Sequence, residues 1–199
     1  MNKVIKLFLL SIFAISVLSY DYPKLDLSSP RSTMNYFLKS MKGHKLGDSR
    51  GLELATQTLD LSQLNEKSRN VKARDYALKL INVLDRIEYI NVKTIPENPP
   101  HTIWYYRLES LKINQEKVKV EMAIAKNKEG EWLFTPKTLE SLDFYEIHLK
   151  NKDVVANVAK DKSWTRKIKN NLPDWAFKKN FILLNIQWLG LFIVILLSY

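Results

Sequence analysis

Apolar positions change period once along this chain, and the change separates a helical half from a stranded half. Met34, Phe37, Leu38 and Met41 recur at i, i+3, i+4 and i+7, the apolar face of a helix. Ser28-Ser29-Pro30 stands just before that face. Ser29 is the expected N-cap and Pro30 the first helical residue, where a missing N–H costs nothing. Gly43 is expected to end the helix. A second, short helix is expected over residues 52–59, followed by Asp60-Leu61-Ser62. The longest helical pattern covers residues 67–90. Ala73, Ala77, Leu80, Ile81, Leu84 and Ile87 line one side of it, while Lys72, Arg74, Lys79 and Asp85 lie mainly off that side. Pro96, Pro99 and Pro100 then forbid any continuation.

Beyond the prolines the period becomes two. Residues 103–108 (IWYYRL) are aromatic-rich, and Val118, Val120, Met122 and Ile124 alternate with Lys117, Lys119, Glu121 and Ala123. That is a half-buried strand with one wet face. Trp132 and Phe134 resume the alternation after a turn at Lys128-Glu129-Gly130, and residues 139–149 suit one more helix. Helices first and a strand meander afterwards predict an α+β domain with a small antiparallel sheet.

The two ends carry a different pattern. Residues 1–6 are basic through Lys3 and Lys6, and residues 7–18 (LFLLSIFAISVL) are uncharged. Such a run fits the core of a secretory signal and is too short for a stable span; Val17 and Ser19 place cleavage near Ser19–Tyr20. The alternative is an uncleaved N-terminal anchor. Residues 181–199 (FILLNIQWLGLFIVILLSY) carry no charge, and about 20 apolar residues cross the hydrocarbon as a helix. A buried soluble helix would ordinarily keep a polar face. The organisation expected is thus a signal peptide at 1–19, an extracytoplasmic domain at 20–159, a juxtamembrane segment at 160–180 and a transmembrane helix at 181–199. No Lys or Arg follows that helix, so the chain is expected to be a truncated product or the front part of a longer protein.

Composition adds limits. Hydrophobic residues make up 46% of the chain, enough for one core, and 5 Gly with 7 Pro exclude a low-complexity chain. The chain has no cysteine, which excludes disulfides, thiol nucleophiles and thiolate metal sites. The net charge of +10 favours an anionic partner. Export turns that preference from nucleic acid toward anionic lipid headgroups.

Catalytic signatures are absent from the sequence. His44, His101 and His148 have no metal-ligand spacing, no serine lies in a G-x-S-x-G elbow, and no glycine-rich phosphate loop occurs. The expectation is a protein without enzymatic activity, cofactor or metal. Asp85, Arg86 and Glu88 suit structural ion pairs in the long helix. Trp104, Tyr105, Tyr106, Trp132, Phe134 and Tyr145 fit either core positions or the lining of a ligand pocket.

One stretch stands out chemically. Lys160, Lys162, Arg166, Lys167, Lys169, Lys178 and Lys179 precede the apolar end, with Trp164 and Trp175 among them and only Asp161 and Asp174 opposing. Each Lys or Arg near anionic headgroups contributes about 1 kcal/mol, and Trp favours the interface. These nine residues form a candidate membrane-surface segment; a solvated linker is the plainer alternative.

Several strings, in order, resemble the extracytoplasmic N-terminal region of some bacterial mechanosensitive channels of the small-conductance (MscS-like) family. They are Asp26-Leu27-Ser28-Ser29-Pro30-Arg31-Ser32-Thr33-Met34 with Phe37-Leu38, then Leu59-Asp60-Leu61-Ser62, then Leu84-Asp85-Arg86. Glu131-Trp132-Leu133-Phe134-Thr135-Pro136-Lys137-Thr138, Leu172-Pro173 and Gln187-Trp188-Leu189-Gly190-Leu191 complete the series. No single string is specific; their order is. The resemblance implies a homo-oligomeric, tension-gated channel of the bacterial inner membrane, with the main domain periplasmic and a role in osmotic stress. That family's Gly/Ala-rich pore helix has no counterpart in this sequence, so no pore residue is assigned, and the chain alone is expected not to conduct. The rival expectation is a membrane-tethered periplasmic module that binds a ligand or partner.

Replacing the basic residues of the juxtamembrane segment with Gln is expected to weaken binding of a 20–180 fragment to anionic vesicles. A co-sedimentation assay that shows unchanged binding rejects the membrane-surface role.

Overall fold

The computed structural model describes residues 20–108, 110–113, 116–159, 179–180 and 183–184. Contacts divide the chain into two units, 1–160 and 161–199. Among the described residues of the first unit four α-helices accompany a three-stranded antiparallel sheet, so the α+β expectation holds.

Helix α1 (Pro30–Lys45) begins as the sequence predicts. Ser29 accepts from the Ser32 N–H, and the Ser32 hydroxyl accepts from the Ser29 N–H in return, both at 3.0 Å. Serine here fills the place that Glu or Gln usually holds in such a reciprocal cap. Arg31 fixes the far side of the first turn. Its Nε donates to the Ile95 carbonyl at 2.6 Å and its Nη1 pairs with Glu97 at 2.5 Å, which ties the proline-rich connection to α1.

The helix does not stop at Gly43, as expected, but continues to Lys45. The stop is Gly47, whose φ of 105° lies in the left-handed region. Gly47 N–H donates to the His44 carbonyl and Asp48 N–H to the Gly43 carbonyl, the two bonds of a Schellman closure. Gly43 has a packing reason instead: a Cβ there would collide with the Tyr22 side chain.

Helix α2 (Arg50–Thr56) starts at once and lies against α1. Its approach depends on Gly51, where a Cβ would run into the Ser40 carbonyl and come within 2.6 Å of the His44 nitrogen. Arg50 pairs with Asp48 at 2.7 Å while its guanidinium lies 5.3 Å from the centre of the Tyr22 ring. The bonded Arg50 holds the Asp48 carboxyl down at about 2. Burial, and then the Asp48 charge, push the Tyr22 hydroxyl up to about 12.

Helix α3 (Glu66–Ile87) carries the long apolar face and ends earlier than expected. Ile90 keeps helical spacing from Ile87, yet Glu88 is extended (φ −155°) and a 3-10 turn, Val92–Thr94, follows. Ile90 and Ile95 are nevertheless buried, so an irregular segment supplies core residues, of which Ile90 is the one that the periodicity credits to a helix.

Strands β1 (Ile103–Arg107), β4 (Glu121–Lys126) and β5 (Trp132–Phe134) form the sheet in the order β1-β4-β5. Strands β2 (Leu111–Ile113) and β3 (Glu116–Val118) pair as a separate hairpin. The single strand expected through 118–124 is therefore divided. Val120, Met122 and Ile124 face the core as their alternation predicts. Helix α4 (Pro136–Leu149) starts earlier than residue 139 because Thr135 caps it, accepting from the Thr138 N–H, with Pro136 in the first turn. Lys79 bridges Asp75 and Asp143, both at 2.6 Å, and links α3 to α4.

In the second unit, β6 (Lys179–Asn180) pairs antiparallel with β7 (Leu183–Leu184). Leu183 and Leu184, which the sequence reading includes in the membrane helix, are described as extended residues of β7. The rest of 181–199, and the signal segment 1–19, lie outside the described residues. Among the described residues no helix is long and apolar enough to cross a membrane.

The two glycine contacts give opposite tests of propensity and packing. Gly43→Ala should stabilise a mid-helix site by about 1 kcal/mol on propensity alone. A net loss in urea denaturation is expected instead, reversed when Tyr22→Ala makes room. Gly51→Ala should cost about 1–3 kcal/mol and resist that rescue, because its obstacle is backbone.

Candidate functional site

Helices α1 and α3 meet near their C-terminal ends through an ionic contact. Lys45, the last residue of α1, pairs with Asp85 in the last turn of α3, and their side chains are only 5% and 9% exposed. Charges so far from water persist only when paired. The Val155 N–H donates to the Asp85 carbonyl at 2.8 Å, so the same residue anchors the chain that leaves α4.

Beside the pair lies a groove of about 460 Å³. α1 contributes Leu38, Lys39, Lys42 and Lys45, and the end of α3 contributes Ile81, Leu84 and Asp85, with the extended Glu88 just beyond it. Both sets follow helical spacing, which brings them to facing sides. Ile90 and Val92 extend the apolar floor, and Asn157, Val158 and Ala159 form a further wall. Asn157 has a φ of 67°, a left-handed conformation that Asn accepts more readily than most residues, and it directly precedes Val158 and Ala159.

The groove's charges divide into engaged and open ones. Glu88 accepts from the Tyr106 hydroxyl at 2.7 Å. Burial, and then that carboxylate, keep the hydroxyl neutral well above the usual phenol range. Lys39 and Lys42 are exposed. Neither forms an ion pair among the described residues. An apolar floor with two open ammonium groups at its rim suits an anionic, partly apolar ligand.

Of the sequence-derived membrane-surface residues, Lys160, Lys162, Trp164, Arg166, Lys167, Lys169, Trp175 and Lys178 lie outside the described residues. Lys179 is described only as the first residue of β6, opposite Leu184. The histidines stand on separate elements: His44 late in α1, His101 after the prolines, and His148 in α4, where its Nδ1 lies 2.7 Å from the Phe144 carbonyl oxygen. Among the described residues no group of three or more His, Asp or Glu is placed to hold a metal.

The six aromatics do not line one pocket. Trp132, Phe134 and Tyr145 are buried in the core, and Trp104 and Tyr106 pack against it. Tyr105 is exposed; with Tyr145 it borders a separate cleft of about 440 Å³ between the sheet and α4. Asp85 corrects a reading of the helix: it was placed off the apolar side, yet it is buried beside Leu84. Its partner Lys45 lay beyond the expected end of α1. The signal that was available is the i+4 step from Ile81 to Asp85, which sets the carboxylate on the core side.

Comparison with protein-family models, with curated proteins and with solved structures finds no match.

Asp85→Asn is expected to strand the Lys45 charge and cost about 3–5 kcal/mol in urea denaturation. Lys45→Met combined with Asp85→Leu should recover most of that loss, since an apolar replacement of a buried pair is often neutral or better.

Proposed function

We propose that this chain is the extracytoplasmic part of a mechanosensitive channel of the MscS-like kind, without catalytic activity. In this reading residues 1–19 direct export and residues 181–199 hold the protein in the bacterial inner membrane. Residues 20–159 stand on the periplasmic side of a homo-oligomer and serve in assembly, anchoring or modulation during osmotic stress. The basic residues of 160–180 lie against anionic headgroups.

The observation that supports the reading is positional: the strings that resemble the family fall on the joints of the fold. Ser29-Pro30 starts α1, and Arg31 ties α1 to the proline-rich connection. Leu59 and Asp60 join β5, through a parallel bridge to Phe134 and a 2.9 Å bond from the Asp60 N–H to the Phe134 carbonyl. Asp85 holds Lys45, and Trp132 to Thr138 make β5 and the cap of α4. Leu172-Pro173 and the 187–191 string lie outside the described residues.

A tension-gated channel opens because its open state occupies more membrane area. An outer domain biases that equilibrium only by interacting differently with the closed and open states.

A second reading, a membrane-tethered module that binds a ligand, is favoured by the groove between α1 and α3. Its volume falls in the range of about 300–1,000 Å³ common to small-molecule sites.

Patch-clamp recording from spheroplasts expressing the reading frame that contains this chain tests the first reading. The expected result is a tension-activated conductance whose opening threshold moves when residues 20–159 are deleted. No such conductance, or a threshold that deletion leaves in place, rejects it.

A further inference from the structure

We propose that the groove between α1 and α3 binds a single-chain amphiphile with an anionic head, such as a medium- or long-chain carboxylate. The proposal gives a substrate class to the ligand-binding reading and does not depend on channel activity. Three features specify the class.

The floor is apolar over most of its length: Leu38, Ile81, Leu84, Ile90 and Val92 line it, and three of these are buried side chains of the core. An apolar tail laid there removes its own surface from water, with that of the half-buried Leu38 and Val92, and affinity grows with each methylene covered. A compact hydrophilic anion gains nothing from such a floor.

Ammonium groups outnumber carboxylates in the lining, with Lys39, Lys42 and Lys45 against Asp85 and Glu88. Asp85 is paired with Lys45, whereas Glu88, held by the neutral Tyr106 hydroxyl, keeps its negative charge. Lys39 and Lys42 remain at the rim, without an ion-pair partner among the described residues. Their i, i+3 spacing sets them as neighbours on one face of α1, about 5–6 Å apart at Cβ. Two adjacent ammonium groups match the two oxygens of a carboxylate.

The third feature is the wall. The left-handed turn at Asn157 comes immediately before Val158 and Ala159, and Val155 is bonded to the Asp85 carbonyl. The last wall is therefore tied to the helix that carries the floor. Residues from α1, from the end of α3 with the segment after it, and from this wall all border the groove, whereas a flat bilayer surface needs no such border.

The test uses the full chain in phosphatidylcholine nanodiscs, photolabelled with a diazirine-bearing hexadecanoic acid and mapped by peptide mass spectrometry. Adducts are expected on peptides that contain Ile81, Leu84, Ile90 or Val158. Dodecanoate should displace the label, and inorganic phosphate or dodecyl maltoside should not. Lys39→Gln with Lys42→Gln should weaken labelling about tenfold, as two rim charges are lost. Lys150→Gln with Lys152→Gln, the same charge change away from the groove, should leave it unchanged. Val158→Trp, which fills the groove without removing charge, should abolish the same adducts.

Adducts spread evenly over the chain, or equal losses in both lysine pairs, overturn the proposal. Displacement by phosphate alone makes the rim a simple anion site and also overturns it. Nanodiscs containing phosphatidylglycerol that suppress labelling as dodecanoate does would reassign the groove to the bilayer surface. Because labelling requires no conductance, it fails or succeeds separately from the patch-clamp result.

Discussion

The first unit depends on a strand of three residues. β5 is paired with β4 on one side through the register Ile124–Phe134, Ala125–Leu133 and Lys126–Trp132. Its other side would be an open edge, with buried N–H and C=O groups left without partners. Three separate segments supply the partners. The Trp132 N–H donates to the Leu27 carbonyl at 2.8 Å, and the Trp132 carbonyl accepts from the buried Thr33 hydroxyl at 2.6 Å. The Phe134 N–H donates to the Thr58 carbonyl, and its carbonyl accepts from the Asp60 N–H, both at 2.9 Å. The N-terminal arm, α1 and the α2–α3 connection are all registered on one short strand. Thr135, the next residue, caps α4. A slip of one residue would exchange Trp132 and Phe134 for Leu133 on the core side and unmake every one of these bonds.

The helical half carries most of the ion pairs among the described residues, and burial decides which of them matter. Exposed pairs such as Arg74–Glu53 are screened and worth little. Lys45–Asp85 is different because neither charge has water to fall back on. Its attraction is largely offset by desolvation, so its main effect is to penalise any packing of α1 on α3 that separates the two. The close approach of α2 to α1 at Gly51 is the steric counterpart. Together they set where the two long helices end relative to each other, and thereby where the groove opens.

Features written in local sequence were legible. Ser29-Pro30 as a helix start, the alternation from Val120 to Ile124, and the change of period after the prolines each depend on neighbours within a few residues. Features decided by distant partners were not. Gly43 looked like a stop, and only Tyr22, twenty-one positions earlier, explains why it sits inside the helix. Ile90 looked helical because buried extended chain can reproduce an i+3 spacing once a side chain as far away as Tyr106 holds Glu88. Asp85 looked like a surface residue because its charge was read without Lys45. The groove inherits that blindness: its residues come from two helices and a tail, and no one segment shows an amphipathic pattern that differs from ordinary core. The nine membrane-surface residues show the converse, a strong local pattern to which the described structure adds only Lys179.

The positions of the resembling strings and of the groove separate two kinds of information in this chain. The strings coincide with joints: a helix start, an edge pairing, a buried ion pair, a strand with its following cap. Such residues specify a fold, and a fold is shared by many functions. The rim lysines Lys39 and Lys42 belong to none of the strings, and they supply the open charge that selects one kind of ligand. Under the proposed assignments the two meet at a single place. The wall at Val158 and Ala159 ends where the basic stretch begins at Lys160, so a ligand in the groove rests against the last residues of the domain before its approach to the membrane. Occupancy affects gating only if the wall is set differently in closed and open channels, and then by no more than the ligand's difference in affinity for the two. A ligand bound equally well in both states would leave the threshold where it was, however tightly it bound.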